Sequence, residues 1–230
     1  MARLPRLTLA GYPHHVIQRG NDRRAIFVDD TDRRQYLAAL KEVAAAAGLQ
    51  VHAYVLMPNH AHLLLTPARA EDLGRAVQAL GRRYVRWFND RHRRKGALFE
   101  GRYRSSVVDA DHYLLACMRY VEMNPVRARL CDRPADFPWS SHRHHVGLSL
   151  DPVVTDHPVY WSLGNTPFER QAAYLRLFDH APVQDETDRI RRCVQGGWLL
   201  AGRELTAQLE RNAGRPPAAR RAGRPRKTRL

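Results

Sequence analysis

The sequence predicts an α+β fold: an antiparallel sheet with two helices on one face, a third helix over the other, and a helical C-terminal region. Three observations support it. Four short runs have the length and composition of strands. Helical periodicity fills the gaps after the first and third runs. Only Pro58-Asn59 separates the second run from the third, which marks a hairpin.

Residues 14–19 (HHVIQR) form the first strand, and Gly20-Asn21-Asp22 breaks it. Asp29, Asp30, Thr31 and Asp32 are candidate N-caps. The helix they open runs through Tyr36, Leu37, Leu40 and Val43 into an alanine run that Gly48 ends. Residues 49–57 (LQVHAYVLM) and 60–66 (HAHLLLT) are the two arms of the hairpin, with Asn59 read only as a turn residue. Leu73, Val77, Leu80, Tyr84 and Trp87-Phe88 recur at helical spacing. Residues 105–108 give a short last strand. Asp109 or Asp111 then caps a helix running to about Asn124, where Pro125 stops it. The order β-α-β-β-α-β is the ferredoxin-like pattern. Such a sheet leaves one face open, and helix 111–124 is expected to cover it.

The expected domain division is 1–135 for this sheet unit and 136–212 for a loop-rich, then helical, region. Its helices are expected near 166–179, 186–195 and 199–211. Residues 213–230 form a Gly/Pro/Arg tail that cannot bury a core and is expected to be disordered when free.

Net charge is +15 across 230 residues, so a polyanion is the expected partner. The last eighteen residues hold seven basic side chains and no acid; taking seven from +15 leaves +8, so the body is basic as well. A second cluster (Arg82, Arg83, Arg86, Arg91, Arg93, Arg94, Lys95) lies in one predicted helix and the turn after it. Nucleic acid is favoured over an anionic membrane, because the basic tail has no long apolar face. No apolar run has membrane-spanning length and no secretory leader is read, so a cytoplasmic location is expected. Cys117, Cys131 and Cys193 are too few and too scattered for a disulfide framework.

His60 and His62 sit on a predicted strand, where a period of two puts both imidazoles on one face and turns Ala61, Leu63 and Leu65 to the other. Two such imidazoles suit one divalent ion, although twelve histidines make an HxH by chance common. A further ligand must come from elsewhere in the chain. Tyr120 and Asn124 are four apart on one helix and share a face. Spacing alone does not choose a nucleophile among nine tyrosines, and Tyr103, Tyr113 and Tyr120 can all be packing aromatics.

Five blocks in order resemble the REP-associated tyrosine transposases, a branch of the single-tyrosine HUH transposases: HHVIQRGN at 14–21, MPNHAHLLL at 57–65, LFEGRYRS at 98–105, RYVEMNPVRA at 119–128 and WSS at 139–141. The resemblance covers about the first two thirds of the chain. It implies a ferredoxin-like fold, His60 and His62 as metal-binding histidines, Tyr120 as nucleophile and Asn124 as the third ligand. It implies Mg²⁺ or Mn²⁺ as the ion, and cleavage and rejoining of single-stranded or hairpin DNA of the REP type through a covalent 5′-phosphotyrosine. Bacterial, nucleoid-associated DNA is the implied setting, and action as a monomer is favoured over a dimer.

DNA contacts are expected from Arg82, Arg83 and Arg86 along the backbone, from Arg102, Arg104 and Arg127 near the site, and from Arg224, Arg226 and Lys227 in the tail. Gly214-Arg215-Pro216 and Gly223-Arg224-Pro225 look like AT-hook cores, which lie in a narrow minor groove. Tyr84 and Trp87 are read as core rather than base-stacking residues. Arg119 or Arg127 is expected to favour loss of the Tyr120 proton. Two other readings remain. One is a non-catalytic, domesticated DNA-binding protein. The other is a zinc hydrolase using Cys117 or a histidine from 142–145 beside His60 and His62.

Overall fold

The computed structural model describes residues 6–180 and 183–212. The AT-hook-like cores and the expected contacts Arg224, Arg226 and Lys227 lie outside the described residues.

Strands β1 (His14–Arg19), β2 (Leu49–Met57), β3 (His60–Pro67) and β4 (Arg104–Val107) form one sheet in the order β2-β3-β1-β4, antiparallel throughout. Helices α1 (Asp30–Ala47) and α2 (Ala70–Arg91) occupy the two crossovers. The order is therefore the expected β-α-β-β-α-β. Asp29 caps α1 in a reciprocal capping box with Asp32, and Gly48 closes it in the left-handed conformation at φ 61°.

α1 and α2 pack on one face, where Tyr36, Leu40, Leu73, Leu80, Tyr84 and Phe88 meet Val16, Ala61, Leu63 and Leu65. Tyr84 is fully buried and its hydroxyl donates to the Ile26 carbonyl, so it is a core residue as expected. The other face is covered by α3 (Ala110–Glu122), whose Leu114, Cys117, Met118 and Val121 pack on Ala53, Val55 and Leu64.

Pro125 does not end this helix. α3 stops at Glu122, and a one-turn helix α4 (Asn124–Arg127) follows with Pro125 in its first turn. A proline costs nothing there, because first-turn N–H groups have no intrahelical acceptor. The last strand also starts one residue earlier than expected, at Arg104.

The remaining helices are α5 (His142–His145), α6 (Pro158–Trp161), α7 (Pro167–Arg176), α8 (Gln184–Gly196) and α9 (Arg203–Asn212). Tyr160, Tyr174, Ile190 and Leu200 complete the core beneath α3. The segment after α8 joins the open edge of β4, with the Leu200 N–H donating to the Val107 carbonyl at 2.9 Å. The Trp139-Ser140-Ser141 segment runs along β2 at the opposite edge, where the Trp139 carbonyl accepts from the Leu56 N–H at 2.8 Å.

Gly20 follows β1 and donates its N–H to the Asn59 carbonyl at 2.8 Å, tying the end of β1 to the turn before His60. A Cβ there would lie 2.2 Å from the Arg24 carbonyl oxygen and 2.9 Å from Ile26 Cγ2. Backbone cannot yield cheaply. Gly20→Ala is expected to cost about 1–3 kcal/mol in a urea unfolding titration, the usual range for overpacking.

Candidate active site

The pleat of β1 and β3 puts His15, His60 and His62 on the face that α3 covers. Their rings form a cluster, with centroids of His60 and His62 4.9 Å apart and those of His15 and His62 5.0 Å apart. Tyr120 comes down from α3 onto this cluster, its ring centroid 6.0 Å from His62 and 5.6 Å from His15. A cavity of about 230 Å³ is lined by His60, His62, Tyr120, Asn124 and Arg127 together with Arg19, Arg191 and Gln195. The four residues expected to carry chemistry thus meet at one cavity within one chain.

Each imidazole is held from behind. His60 Nδ1 lies 2.6 Å from Asn59 Oδ1, an acceptor, so Nδ1 carries the proton and Nε2 keeps its lone pair. His62 Nδ1 lies 2.7 Å from His15 Nε2. Sequence pattern marks Asn59 only as a turn residue and gives His15 no role; in the structure both contact ligand candidates. One sequence signal points to His15: it shares the strand phase of Ile17 and Arg19, which line the cavity.

Burial holds the imidazoles neutral. It lowers His15 from its ordinary 6.5 to about 3, with the Arg127 charge adding to the effect. It lowers His60 to about 4, with Arg19 adding. His62 lies well below 6.5 for the same first reason, with His15, His60 and two arginines contributing. A neutral imidazole is the form that binds metals.

Asn124 donates its amide Nδ2 to the Tyr120 and Val121 carbonyls, at 3.1 and 2.9 Å, which leaves its Oδ1 as an acceptor. Two imidazoles and one carboxamide oxygen thus face the cavity, and no Asp or Glu lines it among the described residues. No group of three or more His, Cys, Asp or Glu suited to a metal exists among the described residues, so a carboxylate- or thiolate-rich site is not offered. The donor set fits one divalent ion that also takes oxygens from its substrate.

Arg127 lies over the Tyr120 ring, its Cζ 4.2 Å from the ring centroid, and donates to the Tyr120 carbonyl at 2.7 Å. Its Nη1 is buried with no partner. Arg119 points elsewhere, donating to the His180 carbonyl. Of the two arginines considered for Tyr120, the structure brings up Arg127.

Arg102 and Arg104 line a small hollow that shares Ile17, Arg19 and Gln195 with the cavity of His60, His62 and Tyr120. It leads to a larger cavity of about 290 Å³ lined by Arg6, Tyr103, Trp198 and others. These basic residues therefore flank the site. Arg82, Arg83 and Arg86 are exposed on α2, across the sheet from the imidazoles, and Arg83 pairs with Glu42 at 2.5 Å. The structure does not bring them to the site.

The zinc-hydrolase set does not assemble. Cys117 is buried among apolar side chains. His142 and His145 donate to the buried carboxylate of Glu122, at 3.1 and 2.7 Å, and Ser141 and Tyr174 bond the same group at 2.7 and 2.9 Å.

Residues 9–124 match the family model of the IS200-like transposases, which is half of the chain. This chain belongs to the IS200-like transposase family. Its fold is also that of a solved REP-associated tyrosine transposase bound to a REP hairpin: TM-score 0.56, 18% identity, 68% of this chain and 92% of that chain covered. At that identity the likeness establishes the fold. A candidate transposase from Deinococcus radiodurans covers 53% of this chain and 95% of its own at 24% identity, but a TM-score of 0.36 is too low to add to it. No curated protein matches the chain in sequence. Among the described residues, no helix of this IS200-like transposase is long and apolar enough to cross a membrane.

Proposed function

We propose that this transposase-family chain is a metal-dependent DNA endonuclease and strand transferase of the REP-associated branch, acting on single-stranded or hairpin DNA through a covalent 5′-phosphotyrosine. The supporting observation is the meeting of Tyr120, His60, His62 and Asn124 at one cavity that has three arginines and no acid in its described lining. A cavity of that charge favours a phosphodiester.

His60, His62 and Asn124 would hold Mg²⁺ or Mn²⁺, and a bound ion would supply Lewis-acid polarisation of a phosphate oxygen. Tyr120 is the nucleophile. Its oxygen forms a bond to phosphorus as the bond from phosphorus to the 3′-oxygen breaks. The phenol loses one proton and the departing oxygen gains one, so the step is balanced without a cofactor that is consumed. A phosphoester replaces a phosphoester, and a second 3′-hydroxyl can reverse the step to join strands. The Arg127 guanidinium lies over the Tyr120 ring and puts a positive charge beside the nucleophile. Because one chain carries the whole set, action as a monomer is the reading we favour.

Arg102, Arg104 and Arg127 are proposed DNA contacts at the site. Arg82, Arg83 and Arg86 would serve a more distant part of a folded DNA, and Arg224, Arg226 and Lys227 the duplex beyond it. The fold relative bound to a REP hairpin makes palindromic hairpins the first substrate to try. Incubating the protein with a REP-type hairpin carrying single-stranded flanks, plus Mg²⁺ or Mn²⁺, is expected to give a denaturant-stable protein–DNA adduct. The adduct should fail to form when a chelator is present from the start and should form once excess ion is added. Tight hairpin binding with no adduct under any ion would instead identify a domesticated DNA-binding protein. An activity needing zinc and leaving no adduct would point to hydrolysis.

A further inference from the structure

We infer that His15 is a positioning residue that fixes the proton of His62 on Nδ1, so that His62 presents a bare Nε2 to the cavity; this rests on the metal-site reading above. Position supports the assignment first. His15 is fully buried in β1, diagonally across from His62 in β3, and the two rings meet edge to edge, 26° from coplanar, with their facing nitrogens 2.7 Å apart. One proton lies between those two nitrogens, and its owner decides what His62 can do. If His15 owned it, His62 would have to carry its own proton on Nε2 and could not ligate from there. If His62 owns it, Nε2 is free, and His15 must carry its proton on the far nitrogen, Nδ1.

The far side of His15 has room for that second arrangement. His15 Nδ1 is buried with no partner in the described structure, and so is the hydroxyl of Ser106. His15 and Ser106 are directly opposed across β1 and β4, so their side chains stand on the same face as cross-strand neighbours. A hydroxyl is both acceptor and donor, and a single ordered water between the two groups would satisfy both. Two unmet polar groups side by side inside a sheet are costly unless they serve each other. The line Ser106–His15–His62 therefore runs from the edge strand to the cavity. It parallels the Asn59–His60 contact, where the acceptor oxygen dictates the same tautomer. Both imidazoles end with Nε2 available, one set by the turn before β3 and the other by β1.

Two measurements test this. Long-range ¹H–¹⁵N spectra of the metal-free wild-type protein should find the His62 proton on Nδ1; a proton on Nε2 overturns the inference. The affinity for Mn²⁺, read by electron paramagnetic resonance in the presence of hairpin DNA, should fall about 10–100-fold in His15→Leu, as when the outer hydrogen-bond partner of a metal-bound histidine is removed. His15→Gln, whose carboxamide oxygen can accept from Nδ1–H, should recover most of the loss. Wild-type affinity in a folded His15→Leu would also overturn it. If His15→Leu does not fold, the wild-type spectra still decide. Should wild-type protein take up no Mn²⁺ at all, the metal-site reading fails, while the tautomer measurement still judges His15.

Discussion

Tyr120→Phe is expected to abolish the protein–DNA adduct and to lower the cleavage rate by on the order of 10⁶-fold, the scale for losing a covalent nucleophile. Hairpin affinity should stay within about threefold, because the phenol oxygen is a minor part of a contact dominated by phosphate charge. The hydroxyls of the other buried tyrosines are already engaged. Tyr36 donates to Gln18, Tyr54 to Asp151, Tyr84 to the Ile26 carbonyl, Tyr160 to the His145 carbonyl and Tyr174 to Glu122. Tyr103 lies under the Arg6 guanidinium and Tyr113 under that of Arg189. Tyr120 alone among the described tyrosines lines the cavity with His60 and His62. A gel-shift titration beside a denaturing adduct assay separates the two effects. Adduct that persists in Tyr120→Phe would move the nucleophile elsewhere and undo the proposed mechanism.

Glu122→Ala should destabilise the fold by about 3–5 kcal/mol, the cost of removing one partner from a buried charged network. In a chain of this size that lowers the melting temperature by about 10 °C. Glu122 is fully buried two residues after Tyr120, and its carboxylate accepts from Ser141, His142, His145 and Tyr174. Without it, four donors in the core lose their acceptor at once. The same network fixes the sign of a pH effect. Burial alone would raise the Glu122 carboxyl, but the surrounding imidazoles overcome that and hold it below its ordinary 4.5. A depressed carboxyl stabilises the fold above its unfolded value, and that contribution is lost as pH falls below about 4.5. Wild-type stability should therefore drop on acidification through that range by calorimetry, and Glu122→Ala should lack this part of the drop. An unchanged melting temperature in Glu122→Ala would show that the network contributes little.

Much of the fold was legible because its signals are local. Asp29 and Gly48 bound α1 where their capping chemistry says, and Pro58-Asn59 sets the hairpin. The alternation through Ala61, Leu63 and Leu65 gave the core face of β3 from the pleat alone. Pro125 misleads because proline signals a helix end and a helix start equally well. Only the turn at Met123 decides between them. The site was half legible. His60 and His62 are two apart in sequence, so local periodicity pairs them. His15 lies 47 residues from His62, and only the strand register joins them. Arg191 and Gln195 reach the cavity from α8, which no local pattern ties to β3.

By itself, then, the sequence determined the main strands and long helices, the covered face of the sheet, the basic character and the HxH pair, since each depends on near neighbours or on totals. The tertiary structure decided which tyrosine meets the histidines, which of Arg119 and Arg127 attends it, that Arg82, Arg83 and Arg86 stand across the sheet, and which groups back each imidazole. The physical reason is that hydrogen bonds and charge contacts act over a few ångströms in space, without regard to separation along the chain. Only packing brings residues tens of positions apart within that reach.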